Sequence, residues 1–197
     1  AATLENTSGA PYLHTDPAPW RARLPTGRPL IGLVWAGQAR PWLPGFAGID
    51  ARRSIDPAWF SALSAIEGVQ FVSLQAGPPA ASPPPGLAPI DPMPDVADFA
   101  DTAAIVANLD LVVSVDTSVV HLAGGLGVPV FMLDRFDHCW RWLDGRDDSP
   151  WYRSMTIFRQ PAPHDWAEPV ARVVDAIRRR FAAATHPSRR SAAPDAA

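Results

Sequence analysis

The chain has 197 residues, 47% of them hydrophobic, which is enough for one domain with a substantial core. Its net charge of −3 gives no overall basic surface for nucleic acid or anionic membranes, and no segment approaches the ~20 apolar residues that span a bilayer. Cys139 is the only cysteine, which excludes an intrachain disulfide and a cysteine-rich metal site and fits a cytoplasmic location.

The two ends of the chain differ in composition from its middle. The first residues, AATLENTSGAPYLHTDPAPW, have neither the basic region nor the apolar region of a signal peptide. They also lack a starting methionine, so we expect a processed product or a piece of a longer protein. We assign residues 1–28 to a linker or amino-terminal extension, and the small, polar residues 185–197 to a disordered tail. One domain is left, at residues 29–184.

Within that domain, apolar runs alternate with helical patterns bounded by capping residues and glycines. The proline-rich stretch 76–95 predicts an extended loop, because proline removes backbone donors. In chain order the predicted elements are a strand at 29–37, a helix at 56–68, a strand at 69–77, a helix at 98–109, a strand at 110–115, a helix at 117–127, strands at 128–134 and 154–160, and a helix at 165–184.

These elements predict an α/β fold. The strands are continuous apolar runs, which is typical of a parallel sheet covered on both faces. We therefore expect a Rossmann-like, doubly wound parallel sheet of about five to six strands. Ligands of such sheets bind at the carboxyl ends of the strands. The residues at those ends include Gly37, Gln75, the Asp116-Thr117-Ser118 run, and Asp134 with Arg135.

The run Asp116-Thr117-Ser118 has two interpretations. It precedes a helix, whose first N–H groups and positive dipole end favour an anion, and hydroxyls can add donors. The alternative is ordinary helix capping, for which these residue types are preferred everywhere. His121 lies one turn further on and could donate to the same anion, or it could pack against the sheet. Four small residues let this helix pack closely on the sheet: Ala123, Gly124, Gly125 and Gly127.

Two further positions suit a phosphate. Gly37 allows close backbone approach after the first strand, although a simple turn explains it equally well. Arg52 and Arg53 stand before a predicted helix, where a guanidinium could bind phosphate or could simply face solvent. The chain contains no GxxxxGK[ST], GxGxxG, HExxH or GxSxG motif and no Asp-x-Asp after a strand. We therefore expect no metal and no cofactor.

Several motifs, taken in order, resemble one family. In chain order they are GLVWAG, RRSID, FVSLQ, the long block DFADTAAIVANLDLVVSVDTSVVHLAGGLGVPVFMLD, WRWL, DSPWY and IFRQ. Over residues 11–182 the chain resembles the carboxyl-terminal, donor-binding half of bacterial GT-B glycosyltransferases. It is most similar to the domain found after tetratricopeptide repeats, which is related to the ADP-heptose:lipopolysaccharide heptosyltransferases and more distantly to O-GlcNAc transferases. The long block is highly specific.

The resemblance implies a role for each candidate residue. Thr117 and Ser118 would bind the donor diphosphate, with Asp116 and His121 beside them and the Gly37 turn facing the same cleft. Arg53 stands where heptosyltransferases carry a phosphate-neutralising Lys or Arg. The remaining candidates would lie near the base or ribose of the donor: Gln75, Asp98 and Asp101.

The resemblance also implies that catalysis requires a second domain. In heptosyltransferases the acceptor site and the expected catalytic base belong to the amino-terminal domain, which this chain does not contain. The expected partners are therefore a nucleotide-diphospho-sugar and an acceptor or tetratricopeptide-repeat domain, with a homodimer as a further possibility. The implied reaction is an inverting, metal-independent sugar transfer, to which this chain alone would contribute only the donor site.

A different class of function competes with this one. The chain could be a non-catalytic interaction module that kept the half-fold, with an apolar partner surface built from tryptophans. An epimerase of the UDP-GlcNAc type shares the fold but needs both halves in one chain. Arg53, Thr117 and Ser118 facing one open pocket would favour donor binding, whereas an ion-paired Arg53 or a tryptophan-filled cleft would favour the module. The tryptophans concerned are Trp35, Trp42, Trp140, Trp142 and Trp151.

Overall fold

Five parallel strands form one sheet in the order β2-β1-β3-β4-β5. The computed structural model describes residues 4, 7–40, 42–43, 45 and 47–185, with side chains to residue 182. Except for residue 185, the predicted disordered tail lies outside the described residues. Each predicted strand contains one observed strand: β1 Leu30–Val34, β2 Gln70–Ser73, β3 Leu111–Val115, β4 Val130–Asp134 and β5 Met155–Arg159.

Helices cover both faces of the sheet, so the predicted doubly wound α/β fold is confirmed. Every residue of β1 and β3 is buried, which explains why these strands read as continuous apolar runs. Two hydrophobic clusters fill the space on either side of the sheet. The α-helices are α1 Ala18–Arg21, α2 Ala47–Arg53, α3 Phe99–Val106, α4 Ser118–Leu126 and α5 Ala167–Thr185.

The segment between β1 and β2 differs from its prediction. The stretch predicted as a helix at 56–68 is a 3-10 helix at Pro57–Ala65, although Asp56 caps it as expected by accepting a hydrogen bond from Ala58 N at 2.9 Å. The preceding α2 was not predicted. Arg52 and Arg53 therefore form the last turn of α2 and precede the 3-10 helix.

The proline-rich loop is more ordered than an extended chain. It contains two short 3-10 segments, Pro78–Ala81 and Met93–Asp95, each with proline at its start, where the missing N–H leaves no hydrogen bond unmade. Between them, Ile90 pairs with the edge strand β2, donating to Phe71 O at 2.9 Å and accepting from Ser73 N at 2.7 Å. The loop is thereby held against the carboxyl end of β2.

The amino-terminal segment packs along α3 and α4. Trp20 is buried, and its indole N–H donates to Asp101. Tyr12 and Leu13 both donate backbone N–H groups to Gly125 O. A Cβ on Gly125 would lie 2.7 Å from the Leu13 side chain. Gly125 thus admits this segment, and a Cβ on Gly124 would lie 2.4 Å from the Tyr152 ring, which corrects the expectation that these glycines serve close packing on the sheet.

Candidate functional site

A cleft opens at the carboxyl edge of the sheet, between β1 and β3. The strand order reverses between these two strands, and doubly wound sheets bind ligands at such a reversal. The larger part of the cleft, here called the β1 arm, has a volume of about 1090 Å³. Its polar and charged lining residues are Gln38, Arg40, Asp50, Arg53, Ser54, Gln75, Thr117 and Ser118.

The cleft continues beneath the proline-rich loop as a smaller part of about 570 Å³, here called the loop arm. Residues 74–77 and 118–119 line both arms, so the two are continuous. The loop arm is walled mainly by apolar side chains, with Asp91 and Asp98 as its acidic lining residues. Among the described lining residues, the charged groups of the loop arm are both carboxylates, whereas those of the β1 arm are two guanidinium groups and the carboxylate of Asp50.

The start of α4 faces the β1 arm without a side-chain cap. Thr117 occupies the cap position, but its side chain bonds none of the helix N–H groups; its Oγ1 lies 3.2 Å from Ser114 Oγ instead. Ser118 is exposed at the junction of the two arms. The hydrogen bond that the capping interpretation requires, from a helix N–H to the Thr117 side chain, is therefore not formed. The N–H groups of Ser118 and Val119 are left for a ligand, whereas Val120 N donates to Thr117 O at 3.2 Å.

Arg53 packs directly on Gly37. A Cβ on Gly37 would lie 2.5 Å from Arg53 Nε and 2.6 Å from Cζ, so the guanidinium rests where any other residue would carry its side chain. Arg53 Nη2 donates to Gln38 O at 3.0 Å and lies 3.1 Å from Asp50 Oδ1. Arg53 Nε is buried without a partner among the described residues. Arg53 thus faces the cleft and is also ion-paired.

Asp50 and Arg40 complete this cluster, and neither was predicted as a site residue. Asp50 is only 4% exposed and accepts hydrogen bonds from both the backbone N–H and the guanidinium of Arg40. The hydrogen bond from the Arg40 side chain holds the pKa of Asp50 below its usual range. These residues stand ten positions apart in a stretch interrupted by proline and glycine, which no helical or strand pattern connects.

Gln75 lines both arms, but its amide is fully used within the protein. Its Oε1 accepts from Trp35 N at 3.0 Å and Ala36 N at 2.9 Å. Its Nε2 donates to Ala36 O and Ala76 O, both at 3.0 Å. All four hydrogen-bonding positions of the amide are occupied. Gln75 therefore ties the end of β1 to the end of β2.

The two carboxylates predicted near the ribose also have internal partners. Asp98 lines the loop arm and caps α3 by accepting from Ala100 N and Asp101 N. Asp101 does not line either arm. It accepts from Ala97 N at 2.9 Å and from the Trp20 indole at 3.1 Å, and the Ala97 hydrogen bond is the main cause of its lowered pKa. Of the pair, Asp98 alone faces the cleft.

His121 lies on the other side of α4, in an aromatic cluster. Its ring stacks on Trp142 at 5.2 Å between centroids, and its Nδ1 lies 2.9 Å from the hydroxyl of Tyr152. Burial lowers its pKa, which keeps the neutral form. Asp116 is half-buried and, like His121, does not line either arm. Neither residue therefore lines the cleft, although Asp116 is adjacent to Thr117 in the chain.

A buried carboxylate stands at the end of β4. Asp134 is 0% exposed; its Oδ2 accepts from Arg159 Nε at 3.0 Å, and its Oδ1 has no partner among the described residues. Burial raises its pKa to about 6, against the opposing effect of Arg159.

The tryptophans of the competing interpretation do not form one surface. Trp35 and Trp142 are buried, because each fills a hydrophobic cluster on one face of the sheet. Trp151 is partly buried and donates its indole N–H to Arg141 O. The predicted surface of five tryptophans is therefore wrong. Of these five, Trp42 (64% exposed) and Trp140 (72% exposed) could contact a partner.

A cluster of metal ligands and a membrane-spanning helix are both absent from the described part of the chain. No group of three or more His, Cys, Asp or Glu side chains is arranged to hold a metal ion there. No helix in the same residues has the length and hydropathy to cross a membrane.

No family model matches the sequence. Among curated proteins, Protein FlbA of Caulobacter vibrioides is 37% identical over 82 residues, which are 42% of this chain and 13% of FlbA.

Three solved structures with a similar fold are named as heptosyltransferases or as a family 9 glycosyl transferase. Escherichia coli ADP-heptose LPS heptosyltransferase II superimposes with a TM-score of 0.60 at 14% identity, over 87% of this chain and 54% of that one. The glycosyl transferase family 9 protein of Veillonella parvula superimposes with a TM-score of 0.56 at 13% identity, over 84% of this chain and 49% of that one. E. coli heptosyltransferase WaaC with ADP-2-deoxy-2-fluoro heptose superimposes with a TM-score of 0.51 at 16% identity, over 88% of this chain and 50% of that one. The chain spans about half the length of these proteins, and at these identities the likeness shows the fold: a Rossmann-like α/β unit of the kind found in GT-B glycosyltransferases.

Proposed function

We propose that the cleft binds the nucleoside diphosphate of a nucleotide-sugar, and that residues 29–184 are the donor-binding domain of an inverting, metal-independent glycosyltransferase. The observation that carries this proposal is that Arg53, Thr117 and Ser118 line the same arm, beside the uncapped first turn of α4. A helix N-terminus, two hydroxyls and a guanidinium form a donor set that suits phosphate oxygens.

The two arms suit the two ends of a nucleotide. The diphosphate would lie in the β1 arm, near Arg53 and α4. The nucleoside would enter the loop arm, where apolar walls such as Met93 and Val96 suit a base and Asp98 can accept from ribose hydroxyls. The charge distribution supports this orientation, because the reverse one would put phosphates beside Asp91 and Asp98.

The chemistry follows from these groups. Departure of a nucleoside diphosphate leaves negative charge on its outer phosphate, which Arg53, the hydroxyls and the α4 amides would stabilise electrostatically. The acceptor hydroxyl needs a general base, and we expect it on an amino-terminal acceptor domain or a domain attached to tetratricopeptide repeats. By itself the chain would bind donor but transfer no sugar. A homodimer and a cytoplasmic location complete the proposal.

Calorimetric titration tests donor binding. We expect wild-type protein to bind one of UDP, ADP or GDP, or the corresponding sugar conjugate, in the micromolar-to-millimolar range. Arg53→Ala should lower that affinity roughly tenfold or more, since a charge-assisted hydrogen bond contributes about 1.5–3 kcal/mol. The double change of Thr117 and Ser118 to Ala should weaken binding similarly.

Arg52→Ala is the matched control. Arg52 is the neighbouring arginine, but it pairs with Asp137 at 2.9 Å and does not line the cleft. Its affinity should equal that of wild type. Equal losses in Arg52→Ala and Arg53→Ala, or no binding by folded wild type, would oppose the proposal.

A non-catalytic interaction module remains the second candidate. The exposure of Trp42 and Trp140 and the ion pair of Arg53 with Asp50 favour it. Absence of nucleotide binding by the folded chain would support it.

A further inference from the structure

A buried carboxylate lines the arm proposed for the diphosphate. Asp50 is 4% exposed, and a carboxylate in this position opposes an incoming anion unless a cation neutralises it. Both Arg40 and Arg53 reach Asp50. Which of the two serves as its counter-ion decides which guanidinium is left to bind phosphate.

Arg40 makes the more extensive contact. Its backbone N–H donates to Asp50 Oδ2 at 2.9 Å, its Nε lies 3.1 Å from Oδ1, and its Nη2 also donates to Oδ1. Arg53 reaches the same carboxylate through Nη2 alone, at 3.1 Å. Forked contact from one guanidinium is stronger and more directional than a single contact. Arg40 is therefore the principal partner of Asp50.

Arg53 is held in place by other contacts as well. Its guanidinium packs on Gly37, and its Nη2 donates to Gln38 O at 3.0 Å. Its Nε is buried without a partner among the described residues. Of the described residues that line the β1 arm, those with charged side chains are Arg40, Asp50 and Arg53, which leaves a net charge of +1.

We propose that Arg40 is a positioning residue of the diphosphate subsite: it neutralises Asp50 and so leaves Arg53 to bind the phosphate. This inference rests on the proposed function. Without Arg40, Asp50 would take Arg53 as its counter-ion, and the arm would carry no net charge. Arg40 thus acts on the ligand through Asp50 and Arg53.

Titration with inorganic pyrophosphate, which needs no matching base, tests this role. Arg40→Gln should bind pyrophosphate roughly tenfold more weakly than wild type, because one unit of positive charge is lost near the anion. Adding Asp50→Asn to Arg40→Gln restores the net charge and should recover the affinity to within about threefold. Arg40→Lys, which keeps the charge but not the fork, should also stay within about threefold.

Arg52→Gln provides the control, and thermal unfolding of each variant verifies its fold. If Arg40 had only a structural role, the double variant would still bind pyrophosphate weakly, because it also lacks the forked contact of Arg40 with Asp50. The inference would be overturned if Arg40→Gln bound pyrophosphate as tightly as wild type, or if Arg40→Lys bound it as weakly as Arg40→Gln. Binding by wild type would still support the proposed function in either case. Absence of pyrophosphate and nucleotide binding in wild type would overturn both.

Discussion

Gln75→Leu is expected to destabilise the protein by about 3 kcal/mol, which is a large part of a typical folding free energy. The substitution keeps the apolar volume but removes the acceptor of the Trp35 and Ala36 N–H groups and the donor to two carbonyls. A buried N–H group without a hydrogen-bond partner destabilises the protein by the full free energy of its desolvation. Denaturant unfolding followed by circular dichroism measures the effect.

Gln70→Leu is the matched control for this substitution. Gln70 begins β2 at the edge of the sheet, is partly exposed, and its side chain has no hydrogen bond to the described residues. Its replacement should change stability by less than about 0.5 kcal/mol. If the two variants were equally stable, the cross-linking role of Gln75 would be refuted, and an effect on nucleotide affinity alone would favour its original assignment to the base or ribose.

Asp134 is expected to make stability fall as pH rises. Its pKa is about 6 in the folded protein, against 3.8 for an unperturbed aspartate, so the folded state holds its proton more tightly than the unfolded state does. Its stabilising contribution is full below pH 3.8 and is lost as pH rises through about 6. The shift corresponds to about 3 kcal/mol.

Comparison with Asp134→Asn isolates this effect from other titrating groups. Asparagine keeps the shape but does not titrate, so unfolding free energies measured between pH 4 and 7 should move in favour of the variant as pH rises. A difference that stays constant over this range, or moves in favour of wild type, would contradict the assignment of the raised pKa to Asp134.

Much of the sheet was predictable because its strands are buried on both faces. Continuous apolar runs such as those of β1 and β3 occur where no residue meets solvent, and their order along the chain identified the α/β class. The helix α2 was not predictable in the same way. It follows a stretch rich in proline and glycine, and the contacts that fix it, such as those of Asp50, join residues that no periodic pattern connects.

The candidate site was predictable where strand topology alone determines position. Gly37 follows β1 and Thr117 follows β3, and adjacent parallel strands bring their carboxyl ends together. The sequence could not reveal which polar side chains find partners inside the protein. Gln75, Asp98 and Asp101 are engaged in hydrogen bonds to backbone groups, and His121 faces an aromatic cluster on the other side of α4.

The most direct test of the central claim is a crystal structure of the chain with the nucleoside diphosphate that binds most tightly. We expect phosphate oxygens at about 3 Å from the Ser118 and Val119 N–H groups and from the guanidinium of Arg53, with the base in the loop arm. Phosphates bound outside the cleft, with Arg53 still contacting only Gln38 and Asp50, would contradict it.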